Sequence, residues 1–228
     1  MARLLSEIHV VCLPHGVDLP KEDRAATAPA FLAEFPQLRE KRVLLFLSRV
    51  TAKKRPELIV EAAALLRRSH PDLAVLMVGP EDGHLAIVRE AVRRHALEDA
   101  VVYAGYLEGV QREGAYAVSD LFVLPSVDEN FALVVTEAMA RALPVVLTPG
   151  VASHVYVDQS GGGVTVEGQA ATIAAGIRQV LDNDPQAFGQ RGRRFVAEHL
   201  TWPKVMLSGE AIYRQLIDEH SRPLSRAA

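Results

Sequence analysis

The feature that most constrains the fold is an alternation of short apolar runs with longer segments of helical period. The apolar runs are rich in Leu and Val and lie at 43–47, 73–78, 101–104, 121–124, 144–147 and 163–166. Segments of helical period lie at 56–68, 84–95, 111–118, 133–142, 170–181, 185–199 and 203–220. Short apolar runs are typical of buried parallel strands, so the alternation predicts an α/β fold, a Rossmann-like parallel sheet with helices on both faces.

This fold predicts where a ligand would bind. Right-handed crossovers place the loops that follow the strands along one edge of the sheet, and open α/β sheets hold their ligands there. We therefore expect the chemistry in the loops after Leu47, Val78, Ala104, Leu124 and Leu147.

The chain divides into three predicted parts. Residues 1–40 are expected to form a linker and an irregular lead-in, with one helical turn near 31–35, because prolines interrupt this stretch. The Rossmann-like domain is predicted over 41–220. A frayed tail is predicted over 221–228.

Composition excludes some classes of function. The 228 residues carry a formal net charge of -3, so no global basic field would attract nucleic acid. No apolar run approaches the ~18 residues that span a bilayer. The single cysteine, Cys12, cannot form an internal disulfide, and its apolar neighbours predict that it packs as a small hydrophobe. These features predict a cytoplasmic protein of a reducing compartment.

The loop after the first strand is strongly cationic. Residues 48–55 read SRVTAKKR and hold four cations before a helix. Free N–H groups at a helix start and nearby cations form a natural anion site, in which Arg offers a planar fork and Lys a mobile charge. A solvated basic face would show the same charge run, and the run alone does not exclude it.

The loop after the fourth strand leads to two glutamates, Glu129 and Glu137, with an apolar stretch of seven residues between them. A carboxylate placed among Leu, Val, Ala and Met is costly to bury without a partner, which favours a functional role on the ligand side. The alternative is a helix cap at Glu129 and a polar surface position at Glu137. Spacing alone leaves both open.

The sequence around these glutamates resembles a known family. The run 125–146 reads PSVDENFALVVTEAMARALPVV and resembles the signature of the retaining, GT-B-fold glycosyltransferases of family 4. Three other segments resemble motifs of that family in its order: a linker at 13–18, a donor-phosphate motif at 46–49 with Lys54, and a strand-and-glycine segment at 101–106. Each motif alone is weak, but four in the same order are a strong signal. The resemblance runs from about Leu13 to Tyr213, nearly the whole chain.

The resemblance implies transfer of a sugar from a nucleoside diphosphate to an acceptor hydroxyl, with retention at the anomeric carbon. Its catalytic residues would be Glu129, facing the donor sugar, with Arg49 and Lys54, which neutralise the departing diphosphate. Glu137 would hold the ribose hydroxyls. The implied donor-binding residues are Arg49, Lys54, Gly79, Tyr103, Gly105, Asn130, Phe131, Ala132, Leu133 and Glu137.

The same resemblance implies the other ligands and partners. The two cations take the place of a divalent metal, so neither a metal site nor a cofactor is expected, and UDP or GDP is the expected nucleotide. An N-terminal acceptor domain would select the acceptor, which would be a sugar, a lipid or a small molecule. Contact with a membrane, where there is any, would be made through that domain.

The linker-like motif at 13–18 stands almost at the start of the sequence, which leaves no room for an acceptor domain before it. The chain is therefore expected to be a fragment, or to receive its acceptor domain from another polypeptide. Alone, it should bind the donor weakly, transfer no sugar, and expose an apolar patch where the two halves would meet.

The sequence departs from the family pattern at several positions. Asn130 and Ala132 replace two glycines, which we expect to be tolerated as small-for-small changes, and Asn130 would lie close to the sugar. Arg55 replaces the glycine after the lysine and would either add a phosphate contact or point away.

Two alternative functions stay open. A nucleotide-sugar epimerase of GT-B shape would share the donor site without the transfer, although the Glu129/Glu137 signature argues against it. A non-catalytic partner subunit of a two-chain transferase would keep the fold and have no affinity for nucleotide.

Overall fold

In a computed structural model, which describes residues 11–21 and 24–220, the chain forms a six-stranded parallel sheet in the order β3-β2-β1-β4-β5-β6. The expected tail at 221–228 lies outside the described residues. The strands are β1 (Arg42–Leu47), β2 (Leu73–Val78), β3 (Val101–Gly105), β4 (Leu121–Leu124), β5 (Val145–Leu147) and β6 (Gly163–Thr165). The predicted α/β fold is confirmed.

Nine α-helices are present in the described part of the chain. They are α1 (Arg24–Glu34), α2 (Glu57–Leu66), α3 (Leu85–Arg94), α4 (Gly109–Ala117), α5 (Leu133–Ala140), α6 (His154–Ser160), α7 (Ala170–Asp182), α8 (Pro185–Phe195) and α9 (Trp202–His220). Short 3₁₀ turns lie at Pro36–Leu38 and Ala52–Lys54, and a π-helical turn, Val196–Leu200, separates α8 from α9. No helix of the described residues combines the length and the apolar character needed to cross a bilayer.

The core follows from the apolar strands. Every side chain of β2 and β4 is buried, as expected where helices cover both faces of a parallel sheet. The chain runs outward from β1 through β2 to β3 and then returns to place β4 beside β1. The strand order therefore reverses between β1 and β4, and the two loops that the sequence singled out flank this switch point.

The lead-in differs from the expectation of one helical turn. Residues Arg24–Glu34 form an eleven-residue helix, α1, with Pro29 inside it. The helix packs on α4, where Phe31 is buried so tightly that a Cβ built on Gly114 would lie 2.8 Å from its ring. Tertiary packing has overridden the helix-breaking tendency of the proline here.

The linker segment is attached to the start of α9. Val17 pairs with Thr201, and its N–H donates to Leu200 O at 2.8 Å. A Cβ on Gly16 would lie 2.4 Å from the indole of Trp202, which leaves room for glycine alone. Trp202 therefore anchors the C-terminal helix. Cys12 is exposed, so the prediction that it packs as a small hydrophobe is wrong.

One side of α9 carries an apolar surface. Met206, Leu207, Tyr213 and Ile217 are each more than 60% exposed, and they line a groove with Leu13. The described residues thus include an exposed apolar surface, and its use as the meeting place of two halves stays a prediction.

Candidate functional site

The loops after β1 and β4 meet at the switch point. The N–H of Val127 donates to the carbonyl oxygen of Lys53 at 3.1 Å, which joins the two loops by a backbone hydrogen bond. The Lys53 and Asp128 side chains form an exposed ion pair, 2.7 Å apart, beside this bond. The cationic loop and the glutamate loop are therefore neighbours, as the predicted fold requires.

Lys54 and Glu129 form a mostly buried ion pair at this junction, with side chains 11% and 14% exposed. The ammonium group of Lys54 contacts Glu129 Oε1, and the buried Ser126 hydroxyl donates to the same oxygen at 2.7 Å. Among the described residues, no hydrogen bond is made to Glu129 Oε2. One carboxylate oxygen is thus held by the protein, and the other can accept a hydrogen bond from a ligand.

This geometry excludes one of the two interpretations of Glu129, that of a helix cap. The residue that caps α5 is Ala132, and no side chain makes a capping hydrogen bond there. Glu129 therefore does not cap the helix. Its carboxylate pairs with the Lys54 ammonium group, and both side chains are mostly buried. A buried ion pair is stable only when its geometry is favourable.

Glu137 lies in the second turn of α5 and faces α4. Arg112 contacts its Oε2, and the Tyr116 hydroxyl donates to the same oxygen at 3.0 Å. Tyr116 is almost fully buried. Its burial raises the pKa of the phenol above the ordinary value, and the nearby Glu137 carboxylate raises it further. The hydroxyl therefore stays protonated and acts as a donor. Glu137 is not the simple polar surface position that was the alternative.

Arg49 is placed apart from these pairs. Its guanidinium donates to Asp82 in the loop after β2 at 2.8 Å, and both side chains are largely exposed. The structure thus brings Lys54 to Glu129, whereas it records no contact of Arg49 with either residue. An exposed pair of this kind is worth about 0–1 kcal/mol, so Arg49 can exchange Asp82 for another anion at small cost.

Arg55 points toward the loop after β6, where its guanidinium donates to the carbonyl oxygen of Gly168. Its backbone is left-handed, with φ of 52°. This conformation favours glycine, which gives a physical reason for the glycine of the family pattern at this position.

Gly79, Tyr103 and Gly105 form one hydrogen-bonded unit at the ends of β2 and β3. The N–H of Gly79 donates to Gly105 O at 2.7 Å, and the Tyr103 hydroxyl donates to Gly79 O at 3.0 Å. A Cβ on Gly79 would lie 1.9 Å from the carbonyl oxygen of Ser48, so the turn touches the start of the cationic loop.

The segment from Asn130 to Leu133 forms the entry to α5. Ala132 takes a left-handed conformation with φ of 55°, so replacing glycine here introduces backbone strain beyond a small change in size. At the start of α5 the N–H of Val135 donates to Ala132 O at 2.9 Å, whereas the described residues offer no recorded acceptor to the N–H groups of Leu133 and Val134. The Phe131 ring is 6.0 Å from both His15 and Tyr156, measured between ring centres.

A metal centre is not indicated within the described ranges, where no group of three His, Cys, Asp or Glu side chains could hold an ion. One Asp-x-Asp sequence occurs, at Asp182 and Asp184, and both aspartates have structural partners. Asp182 contacts the buried His70 at 3.2 Å, and Asp184 caps α8 by accepting from the N–H of Ala187 at 3.0 Å.

Three residues of the site were missed by sequence reasoning as functional positions: Arg112, Tyr116 and Ser126. Ser126 belongs to the signature, but its hydrogen bond to Glu129 is visible only in the fold. Arg112 and Tyr116 precede Glu137 by 25 and 21 residues and lie on another helix, so no local spacing points to them.

Comparison with known proteins now assigns the family. A family model described as glycosyl transferases group 1 matches residues 31–195, which include both loops of the switch point and all of the candidate residues. The chain belongs to the group 1 glycosyl transferases. Within this family it is 30% identical, over 230 residues, to a D-inositol 3-phosphate glycosyltransferase of Arthrobacter sp. (strain FB24).

That alignment covers 96% of this chain and 54% of the Arthrobacter transferase. This group 1 domain spans about half the length of the curated relatives it matches.

Solved glycosyltransferases share the fold. HepE of Anabaena, solved in complex with UDP and glucose, superposes with a TM-score of 0.76 at 19% identity, over 89% of this chain and 55% of that one. The C-terminal domain of the group 1 protein LpcC of Francisella tularensis superposes with a TM-score of 0.70 at 21% identity, over 82% of this chain and 100% of that domain. The α/β unit is thus that of the GT-B glycosyltransferases.

Proposed function

We propose that this chain is the donor-binding, C-terminal half of a retaining glycosyltransferase of family 4, acting on a nucleoside-diphosphate sugar. The observation that carries the proposal is the Lys54–Glu129 pair at the switch point between β1 and β4. It joins the family's phosphate cation to its sugar-facing carboxylate in the crevice where open α/β sheets bind ligands.

In this proposal the cations stabilise the leaving diphosphate. Lys54 is held in place by its pair, and the exposed Arg49 moves from Asp82 to a phosphate oxygen when the donor binds. Charge that grows on the leaving group is stabilised most by cations that are already positioned near it. Sugar transfer by the complete enzyme therefore needs no divalent metal, and a metal chelator should leave its transfer rate unchanged.

Glu129 would offer Oε2 to the donor sugar while Lys54 and Ser126 hold Oε1. Glu137 would accept from the ribose, and the free amide groups at the start of α5 would reach the sugar and a phosphate. Gly79, Tyr103 and Gly105 would line the place of the base, where their hydrogen-bonded unit meets the cationic loop. UDP is the first nucleotide to test because HepE was solved with it.

The acceptor domain is proposed to be a separate unit that covers the apolar surface of α9. The relatives are about twice as long as the matched region, and Met206, Leu207 and Ile217 expose large apolar side chains. Exposed apolar surfaces of this kind commonly mark contacts with other proteins or domains. D-inositol 3-phosphate is the first acceptor to test, since the curated relatives are named for it.

A thermal-shift panel tests the donor site. UDP, GDP and ADP, each free and as sugar conjugates, are added to the wild type and to Arg49→Ala and Glu137→Ala. A nucleotide present at about 100 times its Kd stabilises the folded state by about 2.7 kcal/mol. At least one nucleotide should therefore raise the Tm of the wild type, and it should raise the Tm of both variants by less. Arg67→Ala, which removes an exposed pair with Asp99, serves as the control.

Two results would decide against parts of the proposal. If no nucleoside diphosphate raises Tm, the chain is a non-catalytic partner subunit instead. If the purified chain alone turns over a UDP-sugar and an acceptor many times, it does not need a second half, because proximity and closure are then already complete.

A further inference from the structure

Side chains of α4 hold the candidate ribose carboxylate, Glu137 of α5, at one of its two oxygens. Arg112 and Tyr116 are four residues apart on α4, so they lie on the same face of that helix. Both donate to Oε2 of Glu137 on α5. In the part of the chain that the structure describes, no hydrogen bond is made to Oε1. The carboxylate is therefore fixed at one oxygen and open at the other.

Arg141 holds both Tyr116 and the backbone of Glu137 in place. Arg141 places its guanidinium 4.5 Å from the centre of the Tyr116 ring and donates to the backbone oxygen of Glu137 at 2.9 Å. The same guanidinium pairs with Glu113 at 2.8 Å. Side chains locked by such packing and hydrogen bonds hold a functional group in one geometry, which lowers the ordering cost on binding.

We propose that Arg112 and Tyr116 are positioning residues that fix Oε2 of Glu137, so that Oε1 faces the ribose hydroxyls and selects ribonucleotides over 2′-deoxyribonucleotides. The inference rests on the proposed function, because it requires a nucleoside diphosphate in the crevice. An ionised carboxylate accepts hydrogen bonds only, and the 2′- and 3′-hydroxyls of ribose are donors that match it. Loss of the 2′-hydroxyl would leave the oriented oxygen with one donor fewer.

The measurement is the ratio of affinities for a ribonucleoside diphosphate and its 2′-deoxy counterpart, obtained by isothermal titration calorimetry with the full chain. UDP, GDP and ADP are each compared with the deoxy form. The wild type should prefer the ribonucleotide about tenfold, the size of one net hydrogen bond to a carboxylate. Tyr116→Phe and Arg112→Met should each reduce the preference to about two- or threefold, with the deoxynucleotide affinity little changed.

A matched control separates positioning from a loss of stability. Gly114→Ala lies on the same helix and would place its Cβ 2.8 Å from the Phe31 ring, on the side that faces α1. It should lower Tm and leave the ribose preference at the wild-type value. Glu137→Gln should abolish most of the preference, and combining it with Tyr116→Phe should add little, because both changes act through one carboxylate.

The outcomes are distinguishable. Wild-type chain that binds none of the three diphosphates would overturn the proposed function, and this inference with it. Binding with an unchanged ribose preference in Tyr116→Phe and Arg112→Met would overturn the inference alone. Should Tyr116→Phe fail to fold, Arg112→Met decides by itself, since that side chain is one-third exposed and its loss leaves the core intact.

Discussion

At the scale of single residues, six non-glycine positions of the described chain take the left-handed backbone that this fold uses at its turns: Glu40, Arg55, Ala96, Ala132, Ala142 and Asp184. Arg55 even uses its position to reach the carbonyl oxygen of Gly168. The turn geometry is therefore a property of the fold that the side chains accommodate.

Ala132→Gly should raise the free energy of unfolding by about 1 kcal/mol, because glycine removes the left-handed strain. Ala138→Gly, in the right-handed interior of α5, is the matched control and should lower it by about 1 kcal/mol or more, since glycine is unfavourable in helices. Urea unfolding measures both. Equal destabilisation by the two variants would contradict the assignment of strain to Ala132.

Gly79→Ala should be strongly destabilising and should abolish nucleotide binding. Its Cβ would lie 1.9 Å from the carbonyl oxygen of Ser48, so the cationic loop would have to move. Gly105→Ala is the comparison, because Gly105 also has a positive φ, of 71°, but nothing lies within 4 Å of its Cβ. Backbone strain alone should lower the free energy of unfolding of Gly105→Ala, by about 1–2 kcal/mol. Thermal melts with and without UDP should give a lower Tm for Gly79→Ala than for Gly105→Ala. Equal Tm values for the two variants would argue against the close approach of Gly79 to Ser48.

At the scale of elements, β1 is tied at its amino end to the turn before β2. Arg42 donates to both carboxylate oxygens of Asp72, at 2.7 and 2.9 Å. This hydrogen bond to the Arg42 guanidinium holds the pKa of Asp72 below its ordinary value. The pair lies at the edge of the sheet opposite the candidate site, so its contribution is to the fold alone.

Asp72→Asn should therefore lower stability in a pH-dependent manner. A depressed carboxyl pKa contributes stability above the unfolded-state pKa, near pH 4, and the contribution is lost as pH falls through the folded-state value. The wild type should exceed the variant by less than about 1 kcal/mol at pH 7, since both side chains are over one-third exposed. The difference should vanish at the acid end of a urea-unfolding series from pH 7 to pH 2. A constant difference would contradict the pairing.

At the scale of the whole molecule, the apolar surface on α9 should bind a hydrophobic dye. Met206→Glu combined with Ile217→Glu should lower the fluorescence of anilinonaphthalene sulfonate, because two exposed apolar side chains are replaced by carboxylates, which also repel the dye's sulfonate. The free energy of unfolding should change by less than about 0.5 kcal/mol, as surface substitutions usually do. Val110→Glu, which replaces an exposed apolar side chain on α4, is the control and should leave the dye signal unchanged.

Sequence reasoning recovered the sheet because its strands are continuous apolar runs: 73–78 and 121–124 coincide with β2 and β4. It missed α6, whose seven residues are too few for a helical period to stand out. Helix α1 was missed because its stability comes from packing on α4 and its own sequence contains a proline.

The residues of the candidate site could be predicted where they lie in one motif, whereas contacts that depend on the fold could not. Lys54 and Glu129 stood out by type and position, and their contact follows from the order of β1 and β4. The partners of Glu137 lie on a helix that becomes adjacent only when the sheet is assembled. The pairing of Arg49 with Asp82 depends on the side-chain conformations of two exposed residues, which no pattern specifies.

The bond between Val17 and Leu200 has a mechanical consequence. It fastens the segment around Val17 to the start of α9, and His15 packs between Trp202 and Phe131, with ring centres 4.9 and 6.0 Å away. We therefore expect a force applied to either segment to be shared by the other and to reach, through His15 and Phe131, the loop that carries Glu129. That route does not pass through the sheet.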